Sequence, residues 1–202
     1  MPRLWTRTIE DHRREVRDAI LDATASIVAA RGLLGVTMSR VAGEAGIGRA
    51  TLYRYFADVA SILSAWHERQ IADHLGHLAR IRERSGSPGR RLAAVLSEYA
   101  QIRHETRTRH APDLGALLHR EDLVDRAERE MRRLIRGLVT EAAANGEVRD
   151  DVGPDELTDY CLHALTAADR AMSRAAVGRV VDLTLEGLSP PRRRGRLRAR
   201  PI

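Results

Sequence analysis

The residues best equipped for chemistry lie in one short stretch, GIGRATLYRYF at positions 46–56. The chain holds only 2 Trp, 4 Tyr and 1 Phe, yet Tyr53, Tyr55 and Phe56 fall together here, interleaved with Arg49 and Arg54. A guanidinium is a planar fork that fits guanine edges or phosphate oxygens, and a phenol hydroxyl donates to phosphate. Small Ala50 would let a helix lie close to a groove floor. Cations and phenols on one short element point to a nucleic-acid backbone and its base edges.

Other chemistry is thinly represented. No nucleophile–base–orienter set, phosphate-binding glycine loop or paired-carboxylate motif stands out, so the chain is not read as an enzyme. His74 and His77 are three apart on one helical face, with His67 further back, but no third and fourth ligand is placed for a metal. Neither a metal nor another cofactor is expected. Cys161 is the only cysteine, which excludes an intrachain disulfide and suits a reducing cytoplasm. A lone buried thiol is ordinarily inert packing.

The elements that must position these side chains read as all-α. Apolar residues Val16, Ile20, Ala23 and Ile27 follow the helical period, giving a first helix from about Ile9 or Arg13 to Arg31. Thr8 with Asp11 resembles a capping box, and Gly32 is suited to end the helix. Thr37 can cap a short second helix, MSRVAGEA, and Gly46 supplies a turn into a third from about Arg49 to Phe56. Asp58 caps a fourth that runs to about Arg84, where RSGSPGR breaks the chain. Beyond it the period predicts helices from Arg90 through Tyr99, a short one after Pro112, a long one over about 123–144, and two over about 155–176 and 178–187. No segment alternates at a period of two. Ala45, Ile47, Leu52 and Phe56 are the expected core of the first three helices, leaving the cations and phenols on the outside.

Two short helices joined by a tight glycine turn and braced by a longer one form a helix-turn-helix. At this point a family resemblance enters. ARGLLGVTMSRVAGEAGIGRATLYRYF is similar to the DNA-binding domain of TetR-family transcriptional regulators at Gly32, Thr37, Val41, Ala42, Ala45, Gly46, Thr51, Leu52, Tyr53, Tyr55 and Phe56. The likeness covers roughly residues 13–65. It implies that Thr37 caps and touches phosphate, that Tyr53 and Tyr55 contact backbone, and that Arg49 and Thr51 reach base or phosphate. The full DNA-binding set is Thr37, Arg40, Arg49, Ala50, Thr51, Tyr53, Arg54 and Tyr55. Two positions depart from the family pattern, with Gly48 in place of a serine and Val59 in place of a lysine. Arg54, or Arg3, Arg7, Arg13 and Arg14, are the cations that could substitute.

The remaining chain divides into a flexible basic arm over 1–12, the helix-turn-helix over 13–60, a larger helical domain over 61–188, and a disordered Arg-rich tail over 189–202. Charge follows this division: residues 1–60 are net +2, 61–188 net −2, and the tail carries 6 Arg with no acid. A basic front and tail suit a polyanion. The tail would either hold phosphates without reading sequence or aid solubility. The resemblance implies a homodimer, and the last two helices supply the expected interface at Leu157, Ala164, Leu165, Ala168, Val181 and Leu183. It also implies an effector pocket, for which Trp66, Tyr99, His104, Leu117, Tyr160 and His163 are the candidates. No apolar run approaches the ~18 residues of a membrane span, and the N-terminus lacks a signal-peptide core. The expectation is a cytoplasmic repressor released from double-stranded operator DNA by a small-molecule effector. A constitutive architectural DNA binder, or an enzyme with an unrecognised site, is the alternative.

Overall fold

Ile20, Leu21, Ile27 and Val28 recur at the helical period and form the buried stripe of α1 (Arg3–Arg31). The computed structural model describes residues 3–117, 121–171 and 173–191, with side chains described over 9–106, 123–171 and 173–191. Every regular element among the described residues is helical. The chain divides into one unit of residues 1–75 with 105–127, and a second of 76–104 with 128–202.

In the first unit, α1 stops where Gly32 takes φ +70, a backbone state that costs other residues a steric penalty. A 3₁₀ turn (Leu33–Gly35) leads into α2 (Met38–Glu44), capped by Thr37, whose hydroxyl accepts from the Arg40 N–H at 3.3 Å. Gly46, at φ +67, then reverses the chain into α3 (Arg49–Tyr55). Next comes α4 (Val59–Arg82), started by a reciprocal cap. The Ser61 N–H donates to Asp58 Oδ1 at 2.7 Å, while the Asp58 N–H donates to Ser61 Oγ at 3.3 Å. Val41, Leu52, Phe56, Ile62, Leu63 and Trp66 join the α1 stripe in one core. Arg69 ties α4 to α1, with Nη2 2.7 Å from Asp22.

The second unit takes the end of α4, the first half of α5 (Pro88–Leu117), most of α6 (Glu121–Ala144), α7 (Pro154–Ala164), a second 3₁₀ segment (Leu165–Arg170) and α8 (Arg174–Leu188). Pro154 opens α7, where its missing N–H costs nothing, and Glu156 reaches back to the Gly153 N–H at 3.0 Å. Glu147 performs the same service for α5, accepting from Ser87 Oγ at 2.5 Å and from the Gly89 N–H at 3.2 Å. An ion-pair ladder joins α6 to α7 through Arg132–Asp159 and Arg136–Asp155.

Three boundaries differ from the sequence reading. The chain is already helical at Arg3, so Thr8 and Asp11 lie inside α1 and form no start. Residues 3–12 are therefore a helical extension and not a flexible arm. The break expected before Pro112 is absent: α5 passes through it, giving up one backbone hydrogen bond. Finally, the helix expected over 155–176 ends at Ala164 and tightens into the 3₁₀ segment before α8. The side chains of Arg3, Arg7 and Leu117, and the tail from 192, lie outside the described residues.

Candidate nucleic-acid interface and assembly face

The seven residues of α3 sort cleanly by solvent access. Leu52 is fully buried and Phe56, the residue that ends the helix, is 5% exposed. Arg49, Ala50, Tyr53 and Arg54 are exposed, and Thr51 is half-buried. Leu52 and Phe56 thus anchor a short helix whose outer arc presents two cations and a phenol. Ala45 and Ile47 pack against the same core from the turn, as their spacing predicts.

Three expected DNA contacts acquire a structural role. Thr37 is exposed but its hydroxyl already caps α2. Arg40 Nη1 donates to the Gly35 carbonyl at 2.7 Å, which pins the 3₁₀ turn against α2. Tyr55 is half-buried and packs against the core, unlike Tyr53 at 48% exposure. Val59 is also half-buried against this core, so the first position of α4 serves packing.

One residue at this site escaped the sequence reading. The Arg17 guanidinium lies over the Phe56 ring, 5.0 Å from its centroid. The signal was available, because Arg17 extends the Ile20–Leu21 stripe one turn toward the helix start.

The effector candidates fall in both units. Trp66 is 4% exposed and belongs to the core of the helix-turn-helix unit. Tyr99, His104, Tyr160 and His163 belong to the other unit. Tyr99 accepts from Arg103 Nη1 at 3.2 Å, and Arg103 grips Asp169 with Nε at 3.0 Å and Nη2 at 2.6 Å. Burial opposes the charge on Arg103, but the bonds to Asp169 and Tyr99 outweigh it and its pKa is raised. This fork fixes the 3₁₀ segment to α5. His163 is exposed with Nδ1 2.8 Å from the Asp159 carbonyl, and Tyr160 lies over Gly187 on α8.

The dimer face also needs correcting. Leu157 at 4%, Leu165 and Ala168 at 0% and Val181 at 2% are buried within the single chain, as core between α7, the 3₁₀ segment and α8. Their spacing records an inward stripe, and a second stripe lies beside it. On α8 the buried set is Val177, Val181, Thr184 and Leu188, and a more open set is Ala176, Val180, Leu183 and Gly187, one residue earlier throughout. Leu183 is 65% exposed and Tyr160 41%. With Ala164 they make an apolar face that the described residues leave open.

Cys161 is fully buried and its thiol is pushed up to about 12 by burial, so it stays protonated and unreactive. Among the described residues no group of three His, Cys, Asp or Glu could hold a metal ion, and no helix is long and apolar enough to cross a membrane.

Residues 20–65 match the family model for bacterial regulatory proteins of the tetR family, and residues 87–190 match that for the C-terminal domain of SbtR-like transcriptional regulators. Among solved structures, a TetR/AcrR-family regulator from Thermobifida fusca is 23% identical, covering 85% of this chain and 97% of that one at a TM-score of 0.69. A TetR transcriptional regulator from Streptomyces coelicolor is 26% identical, covering 87% and 99% at a TM-score of 0.63. The regulator FadR from Bacillus subtilis, solved with stearoyl-CoA, shares the fold at 17% identity, covering 84% and 97% at a TM-score of 0.61. No curated protein matches the chain.

Proposed function

Because the chain belongs to the tetR family of bacterial regulatory proteins, we infer that it is a homodimeric repressor that leaves its operator when a small molecule binds. The observation that carries the DNA-binding part is the sorted surface of α3, with Leu52 and Phe56 inside and Arg49, Ala50, Tyr53 and Arg54 outside. A recognition helix in the major groove needs that division, because its anchor must be apolar while its outer arc meets base edges and phosphates. Arg49, at the start of α3, is assigned to base edges. Tyr53 and Arg54 are assigned to phosphate.

Pairing of two heads is assigned to Tyr160, Ala164, Val180 and Leu183, apolar residues of α7 and α8 that the described residues leave open. Two-fold pairing lets a short reading helix specify a longer site. Support for an effector comes from the stearoyl-CoA complex of the Bacillus subtilis neighbour, where the same fold holds a small molecule. The second unit is the assigned effector domain, and the protein acts as a cytoplasmic regulator and not as an enzyme.

The test is selection of duplexes from a random pool by the full chain, followed by competition binding. An inverted repeat is expected, and a protein that enriches no sequence would be an architectural binder instead. On the selected site, Arg49→Ala should lose about 1–3 kcal/mol of discrimination against random DNA. Tyr53→Phe should weaken both DNAs equally, because its hydroxyl serves phosphate. Equal behaviour of the two variants would refute the division of roles.

A further inference from the structure

We propose that Arg13 and Arg17, on α1, form a second phosphate-binding strip that grips the DNA backbone beyond the end of the recognition helix. The inference rests on the DNA-binding reading above and adds an element to it. Three observations support it.

The first is position. Phe56 closes α3, its N–H donating to the Leu52 carbonyl at 3.0 Å, and the Arg17 guanidinium covers the Phe56 ring at 5.0 Å. The α1 helix therefore passes the C-terminal end of α3 at Arg17. A seven-residue helix is about 10 Å long, close to the ~12 Å width of the major groove. With Arg49 assigned to base edges, the C-terminal end of α3 is the one that meets a bordering sugar–phosphate backbone, and Arg17 stands at that end.

The second is charge. Arg13 is one turn before Arg17 on the same face, and both are exposed. Neither has an ion pair among the described residues, whereas neighbouring Arg14 is held by Asp11 at 2.7 Å. Like charges four apart on a helix repel, so this face is suited to an anion that the described residues do not provide.

The third is orientation. Free arginines sample many rotamers, and ordering one at an interface carries an entropic cost. Stacking on Phe56 restrains Arg17 in advance, while the edge of the guanidinium keeps its donors available. An arginine fixed over a ring at the end of a recognition helix is a preorganised phosphate clamp.

The experiment uses the full chain and a random-sequence duplex of about 30 base pairs, since phosphate contacts carry no sequence preference. Affinity is measured against salt. Each phosphate contact contributes about −0.9 to the slope of log affinity on log salt. Arg13→Gln and Arg17→Gln should each flatten that slope by about 0.9 per engaged head, and the double variant by about 1.8. Between about 50 and 200 mM salt, one lost contact should make the fall in affinity about 3.5-fold smaller. Arg17→Lys should keep the wild-type slope. Arg54→Gln serves as the control for the recognition helix itself. If Arg54→Gln flattens the slope while both α1 variants leave it unchanged, the strip is overturned and the DNA-binding reading stands. If Arg17→Gln only lowers the melting temperature and Arg13→Gln changes nothing, Arg17 is a cover for Phe56 and the proposal fails. Wild-type protein that binds no duplex at low salt would overturn both.

Discussion

At the residue scale, the four aromatics of the reading head divide by burial and not by type. Tyr53 and Tyr55 are two apart on α3, so they point about 200° apart, and only one can face outward. Tyr53 takes the exposed side and Tyr55 joins Phe56 at the core. Trp66 lies deeper, one helix further on, with 4% of its surface exposed. An indole in that position locks α4 against α1, next to the tie from Arg69 to Asp22. Trp66→Ala should cost about 3–5 kcal/mol, a large share of the ~5–15 kcal/mol that stabilises a domain. DNA affinity without effector should then fall together with the melting temperature. A variant that keeps both and alters only effector response would return Trp66 to the effector site.

At the element scale, paired helices in the second unit carry two stripes each, and substitutions should separate them. Leu165→Asp places a carboxylate in a fully buried position and should unfold the unit. Leu183→Asp, at 65% exposure, should leave helix content and melting intact and convert dimer to monomer. Sedimentation with circular dichroism on both variants decides it; a dimeric, folded Leu183→Asp protein would move the interface elsewhere. The same comparison shows what the sequence could reveal. The helix-turn-helix was legible because Thr37, Gly46, Leu52 and Phe56 each have a local signature: cap, turn, anchor and stop. The open stripe of α8 was not, because Val180 and Val181 are adjacent and equally apolar, and periodicity cannot say which of two neighbouring stripes faces its own chain. Pro112 misled for a related reason, since local cost was weighed without the continuing helix around it. Glu147 was also invisible, being brought to the start of α5 by tertiary structure alone. Its carboxyl is held below the ordinary 4.5, chiefly by the Ser87 hydrogen bond, against the opposing effect of burial. A depressed folded pKa adds stability above the unfolded value and loses it as pH falls through 4.5 and below. Glu147→Gln should therefore flatten the acid limb of the melting-temperature curve. A wild-type limb in that variant would show that the cap does not contribute.

At the scale of the whole molecule, the proposed working unit is two heads on one duplex, and on that reading its affinity depends on both being engaged. Heads related by a two-fold enter the same face of B-DNA only if their half-sites lie a whole number of turns apart, about 34–36 Å for one turn. Inserting about 5 base pairs between the half-sites turns the second one to the opposite face, out of reach of its head. The second binding event then ceases to be intramolecular, and about 10²–10⁴-fold in avidity should be lost. Restoring a full turn with a further ~5 base pairs should recover part of that loss, limited by how far the pair can spread. Leu183→Asp reaches the same state by another route, because a monomer has one head on an unaltered site. Wild type on the half-turn operator and Leu183→Asp on the intact operator should therefore lose affinity by the same factor. Titration of both pairs under one salt condition makes the comparison. If the insertion has no effect while Leu183→Asp still weakens binding, the heads do not read paired half-sites, and the apolar face of α7 and α8 supports DNA binding in some way other than two-fold pairing.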